Sequence, residues 1–195
     1  MEIRCFFVVE YIPEIEGNLV SEQVFVTNND MINELKLKGY GEIEDGQLLL
    51  QSFESLYLLY SGQLTLKKGS RRIDFDALMG ICQVSDGDIL TKFLIYRDLR
   101  NRGYVVKDGF GFGSDFRVYE RGQFGEKGAK FLVFGLNEGQ QEKMGNLKKT
   151  IDEITQMGKE PVIAVIERRG EVIYYKINKM DFYENKANLT NTVNT

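Results

Sequence analysis

Histidine is absent from the 195-residue sequence, and cysteine occurs only twice. Without histidine, the chain can form neither a histidine-ligated metal site nor a serine–histidine or cysteine–histidine nucleophilic centre. Cys5 and Cys82 lie far apart and outside any metal-binding spacing, which indicates two reduced core thiols. We therefore expect no metal and no cofactor.

Long apolar runs are also missing. No stretch approaches the roughly 18–20 apolar residues that are needed to span a bilayer, so we expect no membrane partner. The opening residues, MEIRCFFVVEYIPEIEG, carry acidic side chains through their apolar run, which is not the pattern of a secretory signal. These features predict a cytoplasmic protein.

What the sequence does have is an uneven distribution of charge. The net charge is −4, yet residues 1–89 hold 7 basic and 15 acidic side chains, whereas residues 90–183 hold 17 basic and 13 acidic ones. Such a difference between two halves suggests two domains, with the site for an anionic partner on the second.

The N-terminal half alternates between short strands and short helices. Aromatic and β-branched runs predict strands over 4–12, 22–28 and 63–69. Cap and stop signals predict three helices: one over 27–41 with a cap at Asn28 or Asn29 and an end at Gly39, one over 46–64 with Leu50, Phe53, Leu56, Tyr57 and Tyr60 on one face, and one over 74–84 with a cap near Asp74.

The C-terminal half predicts a mixed sheet flanked by two helices. An amphipathic helix over 85–104, ended by Gly103, is expected to bury Leu90, Phe93, Leu94, Tyr96 and Leu99. Composition predicts five strands, over YVVK, DFRVYERG, AKFLVFG, VIAVIER and EVIYYKIN, with a helix between the third and the fourth. The whole pattern predicts an α+β fold with domains at 1–87 and 88–183 and a disordered tail at 184–195.

The strand DFRVY carries a candidate site. Alternation places Asp115, Arg117 and Tyr119 on one face and Phe116 and Val118 on the other. The glycine run GFGFG before it leads into a strand and not into a helix, so it does not indicate a phosphate-binding loop.

Three segments together resemble the archaeal tRNA intron endonucleases. They are YRDLRNRGYVVKDGFGFGSDFRVYERG, PVIAVIERRGEVIYYKI and GQLLLQSFESLYLLYSGQLTL, and the resemblance covers roughly residues 45–178. It implies a restriction-endonuclease-like C-terminal domain and precursor tRNA as the partner. It also implies metal-free cleavage at a bulge–helix–bulge, in which a ribose 2′-OH attacks the adjacent phosphorus and leaves 2′,3′-cyclic phosphate and 5′-OH ends.

The resemblance also implies a catalytic trio of a tyrosine base, a histidine acid and a lysine that stabilises charge. The tyrosine corresponds to Tyr119 and the lysine to Lys159, but Gly128 stands where the histidine is expected. A glycine cannot transfer a proton, so we expect this chain to be a structural subunit. The family also has an arginine that binds the RNA bulge. The corresponding position in this chain is near Asp152, which is a second departure from the family pattern.

Further residues are assigned by the same resemblance. RNA contacts are expected from Arg117, Arg121, Lys127 and Lys130. The family pairs through its last strands and a hairpin loop, which implies oligomer contacts at Glu167, Glu171, Tyr174 and Tyr175. The expected assembly is a homodimer, or a heterotetramer with a histidine-bearing catalytic subunit.

Three other interpretations remain open at the level of sequence. The chain could be a slow nuclease in which Lys127, Lys130 or water replaces the acid. It could be a metal-dependent nuclease that uses Asp115 and Glu126, although EKGAK lacks the required spacing. It could also be an RNA-binding module without an endonuclease partner.

Overall fold

The computed structural model of the chain describes residues 15–109, 113–137 and 144–178. Its helices are α1 Asn29–Leu37, α2 Ser52–Tyr60, α3 Phe75–Ser85, α4 Ile89–Asn101 and α5 Met144–Gln156. Its strands are β1 Ile15–Val20, β2 Gln23–Val26, β3 Glu42–Glu44, β4 Gln47–Leu50, β5 Leu64–Lys68, β6 Arg71–Ile73, β7 Val105–Asp108, β8 Phe116–Tyr119, β9 Phe131–Asn137, β10 Glu160–Ile166 and β11 Val172–Lys176. The strand predicted over 4–12 and the tail predicted over 184–195 lie outside the described residues.

The N-terminal part is built on a six-stranded sheet in the order β3-β4-β2-β1-β5-β6. Its neighbours are antiparallel except for β1 and β5, which run parallel and pair Ile15 with Leu64. The C-terminal part is built on a separate five-stranded sheet in the order β11-β10-β9-β8-β7. Only β9 and β10 are parallel in that sheet, so the predicted mixed sheet and the α+β class are confirmed.

The predicted helix over 46–64 is wrong in its first third. Residues 47–50 form the strand β4, and Leu50 belongs to that strand, whereas α2 begins at Ser52. The run of three leucines fits a strand and a helix equally well, because it has no periodicity of its own. The dipeptide Asp45–Gly46 decides in favour of the strand. Both residues have positive φ, 48° and 79°, as a two-residue hairpin turn requires.

The predicted caps of α1 and α3 are confirmed. Asn28 Oδ1 accepts hydrogen bonds from the backbone N–H groups of Asp30 and Met31, at 3.0 and 3.2 Å. Asp74 Oδ1 accepts one from Ala77 N at 2.9 Å. These side chains satisfy donors that the first turn of a helix leaves without partners.

Helix α4 is present, but its buried face differs from the predicted one. Leu90 is 47% exposed, while the preceding Ile89 is buried. Phe93, Tyr96 and Leu99 are buried as predicted. The buried face therefore begins one residue earlier, because α4 itself begins at Ile89 and packs on two neighbours at once.

Aromatic rings join the two sheets into one core. The ring centroid of Phe53 in α2 lies 4.9 Å from that of Tyr96 in α4 and 5.1 Å from that of Phe116 in β8. Tyr96 and Phe116 are fully buried. Helix α4 thus packs on α2 with one side and on the C-terminal sheet with the other.

A buried carboxylate lies at the same junction. Glu54 Oε2 accepts hydrogen bonds from the N–H groups of Gly41 and Gln51, at 3.0 and 2.9 Å. Its Oε1 lies 3.9 Å from Lys107 Nζ and has no hydrogen-bond partner among the described residues. Burial raises the pKa of Glu54 to about 7, although Lys107 and the two backbone bonds act to lower it.

Candidate functional site

The ends of three adjacent strands, β8, β9 and β10, lie side by side at one end of the C-terminal sheet. We call this end of the sheet the β8–β10 edge. Strand β8 ends at Tyr119, while β9 and β10 begin at Phe131 and Glu160. Val118 pairs with Phe131, and Phe131 pairs with Glu160, so the end of β8 lies beside the two beginnings. The register thereby places the end of β8, at Tyr119, beside the starts of β9 and β10, which follow Gly128 and Lys159 in the sequence.

Lys159 is held at this edge by its surroundings. It follows α5, and its backbone N–H bonds to Ile154 O at 3.2 Å, which closes the end of that helix. Gly158 supplies the left-handed conformation (φ 69°) that the turn needs. The Nζ atom of Lys159 donates a hydrogen bond to the carbonyl oxygen of Ala129 at 2.8 Å, so the ammonium group lies against the chain just before β9.

Gly128 lies directly beside that ammonium group. A Cβ atom placed on Gly128 would lie 3.9 Å from Lys159 Nζ, and no other described atom beyond its chain neighbours would come within 4 Å. The φ angle of Gly128 is outside the left-handed region. The position is exposed and would accept an ordinary L side chain without backbone strain.

Tyr119 lies on the predicted face of β8. Phe116 and Val118 are buried, whereas Arg117 and Tyr119 are half-buried, so the predicted alternation is confirmed. The ring of Tyr119 meets that of Phe124 edge to face, with a centroid distance of 5.0 Å and an interplanar angle of 90°. Sequence reasoning missed Phe124, because a single aromatic in the loop GQFGEKG carries no signal of its own.

The loop 120–130 that connects β8 to β9 carries three of the four predicted RNA-contacting cations. Arg121 is exposed, with its guanidinium carbon 5.3 Å from the centre of the Tyr104 ring. Lys127 is exposed and directly precedes Gly128. Lys130 forms an ion pair with Glu120, so part of its charge is already neutralised.

The fourth predicted cation, Arg117, lies within β8 and is turned toward the neighbouring strand. Its Nε donates a hydrogen bond to the carbonyl oxygen of Asp108, at the end of β7, at 2.9 Å. Asp108 lies opposite Phe116 in the ladder, at the far end of β8 from Tyr119. The guanidinium of Arg117 is therefore directed toward the Phe116 end of β8, away from Tyr119.

The acidic residues proposed for a metal-dependent reaction do not form a metal site. Asp115 Oδ2 accepts a hydrogen bond from the N–H of Gly135 at 2.7 Å, and burial raises the pKa of the Asp115 carboxyl. Glu126 is exposed in the loop after β8. Across residues 15–109, 113–137 and 144–178, no three histidine, cysteine or acidic side chains are arranged to hold a metal ion.

The last strand presents different tyrosines on its two faces. Tyr174 is half-buried and donates a hydrogen bond from its hydroxyl to Asp98 Oδ2 of α4 at 2.8 Å. Tyr175 is 54% exposed on the opposite face, next to Ile173, which is 36% exposed. Glu167 and Glu171 close the hairpin between β10 and β11 through a 3.0 Å backbone hydrogen bond. Of the two tyrosines, only Tyr175 is thus presented to a neighbouring molecule.

Comparison with known protein families matches both parts of the chain. The tRNA intron endonuclease catalytic C-terminal domain matches residues 89–174, and the N-terminal domain of the same enzymes matches residues 15–79. None of the helices in the part of the chain that the structure describes is long and apolar enough to cross a membrane.

Similar proteins occur in several archaea. The tRNA-splicing endonuclease of Methanococcus vannielii is 34% identical over 164 residues, which are 84% of this chain and 93% of that protein. The tRNA-splicing endonuclease of Thermococcus kodakarensis is 32% identical over 84% of this chain and 97% of its own length. That of Pyrococcus furiosus is 32% identical over 86% and 98%. Both domain matches and full-length similarity agree, and the chain belongs to the tRNA intron endonuclease family.

Proposed function

We propose that this chain is the structural subunit of a cytoplasmic tRNA-splicing endonuclease that removes introns from precursor tRNA at bulge–helix–bulge splice sites. Family membership supports the tRNA substrate. The observation that supports the structural role is Gly128, which lies beside Lys159 where the family resemblance implies the acid, in a chain without any histidine.

The chemistry explains why this one position matters. When a 2′-OH attacks the adjacent phosphorus, its proton passes to a base, a new P–O2′ bond forms and the P–O5′ bond breaks. The departing 5′ oxygen must receive a proton, and a positioned acid typically contributes about 10²–10⁴-fold to the rate. Glycine offers no such proton, so the 5′ oxygen would leave unassisted at this edge.

The remaining members of the trio have geometry that suits their expected roles. Tyr119 is half-buried, and its ring is oriented by Phe124, as a base that must meet one proton requires. Lys159 presents a fixed ammonium group next to Gly128, where it would stabilise charge that develops on the phosphate. Tyr119 and Lys159 are present in this chain, but the acid is missing. A complete catalytic trio therefore requires a second chain that carries a histidine.

The outer face of β11 supports a partner chain. Ile173 and Tyr175 place apolar surface beside the exposed hairpin that carries Arg168 and Arg169. We propose that this face pairs with a second copy, or with a histidine-bearing catalytic subunit in a heterotetramer. Such pairing would align two basic C-terminal domains along one RNA, as two cuts per intron require.

A second candidate keeps catalysis within this chain. Lys127 is exposed and directly precedes Gly128, which favours it as a substitute acid. Lys130 suits that role less well, because Glu120 already holds its ammonium group in an ion pair. The experiment below separates the two candidates.

The test adds the purified chain, without a partner, to labelled precursor tRNA that contains a bulge–helix–bulge. We expect only residual cleavage by the wild type, far below one turnover per minute, and a rate about 10²–10⁴-fold higher for Gly128→His. Gly128→Ala is the matched control, because it adds the Cβ atom without the imidazole and should stay at the residual rate. Adding Tyr119→Phe to Gly128→His should remove the gain.

Two outcomes would contradict the proposal. Wild-type cleavage on the order of one turnover per second or per minute would favour the second candidate, and Lys127→Met should then abolish it. A Gly128→His variant that folds but cleaves no faster than Gly128→Ala would show that Tyr119 and Lys159 do not complete a site with position 128.

A further inference from the structure

The hairpin formed by β5 and β6, residues 64–73, concentrates positive charge on the otherwise acidic half of the chain. Residues 1–89 contain seven basic side chains, and four of them are Lys67, Lys68, Arg71 and Arg72. The hairpin itself contains no acidic residue. Gly69 and Ser70 form its turn, with Gly69 at φ 61° as the first central residue of a two-residue turn.

The strand register sets like charges opposite each other. Lys67 pairs with Arg72, and Lys68 pairs with Arg71, in the antiparallel ladder. Like charges directly opposite in a sheet destabilise it. Lys67 is relieved by an ion pair with Glu16 of β1 at 3.1 Å, whereas Lys68, Arg71 and Arg72 are exposed. Among the residues that the structure describes, no ion pair offsets the charges of Lys68, Arg71 and Arg72, and this cluster is suited to an anionic ligand.

The two pairs lie on opposite faces of the hairpin. Lys68 and Arg71 continue the face that carries the buried Leu66 and Ile73, while Lys67 and Arg72 lie on the other face. A flat protein interface would use one face only. Phosphate groups on both faces of this margin of the sheet match this distribution, and arginine binds phosphate through two parallel hydrogen bonds.

The hairpin lies apart from the β8–β10 edge. It forms one margin of the N-terminal sheet, and the opposite margin is β3. Gly41, directly before β3, contacts the C-terminal sheet through Lys107, whose Nζ donates to its carbonyl oxygen at 2.7 Å. Five strand spacings separate the margins, or about 24 Å. A ligand that reaches both the hairpin and the β8–β10 edge must be extended.

From these observations we propose that the β5–β6 hairpin is a second RNA-binding site, which contacts phosphates of the precursor tRNA away from the bond that is cut. This inference rests on the proposed tRNA substrate. The hairpin supplies affinity and orientation and takes no part in the chemistry, since phosphate contacts position a nucleic acid without reading its sequence.

The test measures binding of the full chain to precursor tRNA over a range of salt concentrations. Arg71→Thr/Arg72→Thr removes two charges and places residues that favour strands at both positions. We expect an affinity loss of about tenfold and a decrease of about 1.5 in the slope of log K against log salt. Relief of the like-charge pairs should also raise Tm by about 1–3 °C.

Two control variants are needed. One distinguishes the loss of charge from the loss of folding, and the other distinguishes charge on this hairpin from charge elsewhere on the surface. Arg71→Lys/Arg72→Lys keeps both charges and should retain the salt slope of the wild type. Lys36→Thr/Lys149→Thr removes two exposed charges elsewhere and should leave the affinity within about twofold. An affinity loss accompanied by a lower Tm in the threonine variant would attribute the effect to damage and overturn the proposal.

The remaining outcomes are also decisive. If the threonine variant binds precursor tRNA like the wild type, the hairpin proposal is wrong while the proposed function stands. If that variant keeps RNA binding but sediments as a smaller species than the wild type, the hairpin binds protein and the proposal is again overturned. If the wild type itself does not bind precursor tRNA, the proposed function is wrong, and the hairpin proposal with it.

Discussion

At the scale of single residues, Glu54 is the side chain whose environment departs furthest from that of an ordinary carboxylate. It is fully buried, with one oxygen bonded to two N–H groups and the other without a hydrogen-bond partner in the described part of the chain. A pKa of about 7 in the folded state, against an ordinary 4.5, means that the folded chain retains this proton at pH values where the unfolded chain has lost it.

Glu54 should therefore make stability depend on pH near neutrality. Its contribution is fully present below about pH 4.5 and is lost as pH rises to about 7, because ionisation costs more in the folded state. The loss corresponds to about 3 kcal/mol, or roughly 6–12 °C in Tm. Glu54→Gln, which keeps the shape and an oxygen acceptor, should show no such decrease between pH 5 and pH 8.

Thermal unfolding of both proteins from pH 5 to pH 8 provides the measurement. The difference between the two curves isolates Glu54, because other titrating groups such as the half-buried Asp115 are common to both. Parallel curves would show that Glu54 stays ionised in the folded protein across this range.

The residues of the candidate site were predictable to different degrees. The family resemblance assigns Tyr119 and Lys159 to the site, and alternation along β8 predicts the face on which Tyr119 lies. The contact of Phe124 with Tyr119 and the bond from Lys159 to the Ala129 carbonyl depend on how a loop folds back, which no local pattern encodes. The choice between Tyr174 and Tyr175 likewise required the position of α4.

At the scale of elements, the predicted helices begin or end at side-chain caps or glycines. The strands that were not predicted, such as β1 and β4, belong to hairpins. The turn between β1 and β2 is made by Ser21 and Glu22, with φ of 47° and 70°. Those residue types rarely adopt positive φ, so the sequence gives no hairpin signal there. The Asp45–Gly46 turn did carry a signal, and the run of leucines after it obscured the strand.

The strand β11 yields a prediction about assembly. Ile173→Asp/Tyr175→Asp places two charges on its exposed face and should shift the sedimentation coefficient toward that of a 22.4 kDa monomer. Desolvating those charges in an interface would be unfavourable, which is the physical reason. Tyr174→Phe is the matched control, because it removes only the hydroxyl bonded to Asp98 on the opposite face.

The wild type sets the baseline for that comparison. A wild-type chain that already sediments as a monomer at micromolar concentration, and stays so with a histidine-bearing homologue, would end the proposal of pairing through β11.

At the scale of the whole molecule, the two sheets are separate but their core is continuous. Phe53, Tyr96 and Phe116 connect it, and the charged groups at its margin add to the connection. Arg100 of α4 donates a hydrogen bond to the Lys38 carbonyl at 3.0 Å, and its guanidinium carbon lies 4.1 Å from the centre of the Tyr40 ring. The domain boundary at residue 87 stays a prediction from the step in charge.

This continuity predicts a single unfolding transition. Because neither part can expose its share of the core without disturbing the other, both should unfold together. Calorimetry should give one endotherm whose van't Hoff and calorimetric enthalpies agree, and near-ultraviolet and far-ultraviolet circular dichroism should change together. Two resolved endotherms would instead mean that the parts are energetically independent.

The parallel pairing of β1 with β5 also has a consequence during synthesis on the ribosome. The ladders from β1 through β2 and β4 to β3 join neighbours that leave the ribosome soon after one another. The partner of Ile15 in the parallel ladder is Leu64, which emerges 49 residues later. Until then, β1 has an unpaired edge, the kind of surface at which nascent chains join one another. Slow translation before residue 64 should therefore promote aggregation, whereas a pause after β6 should leave the completed sheet protected.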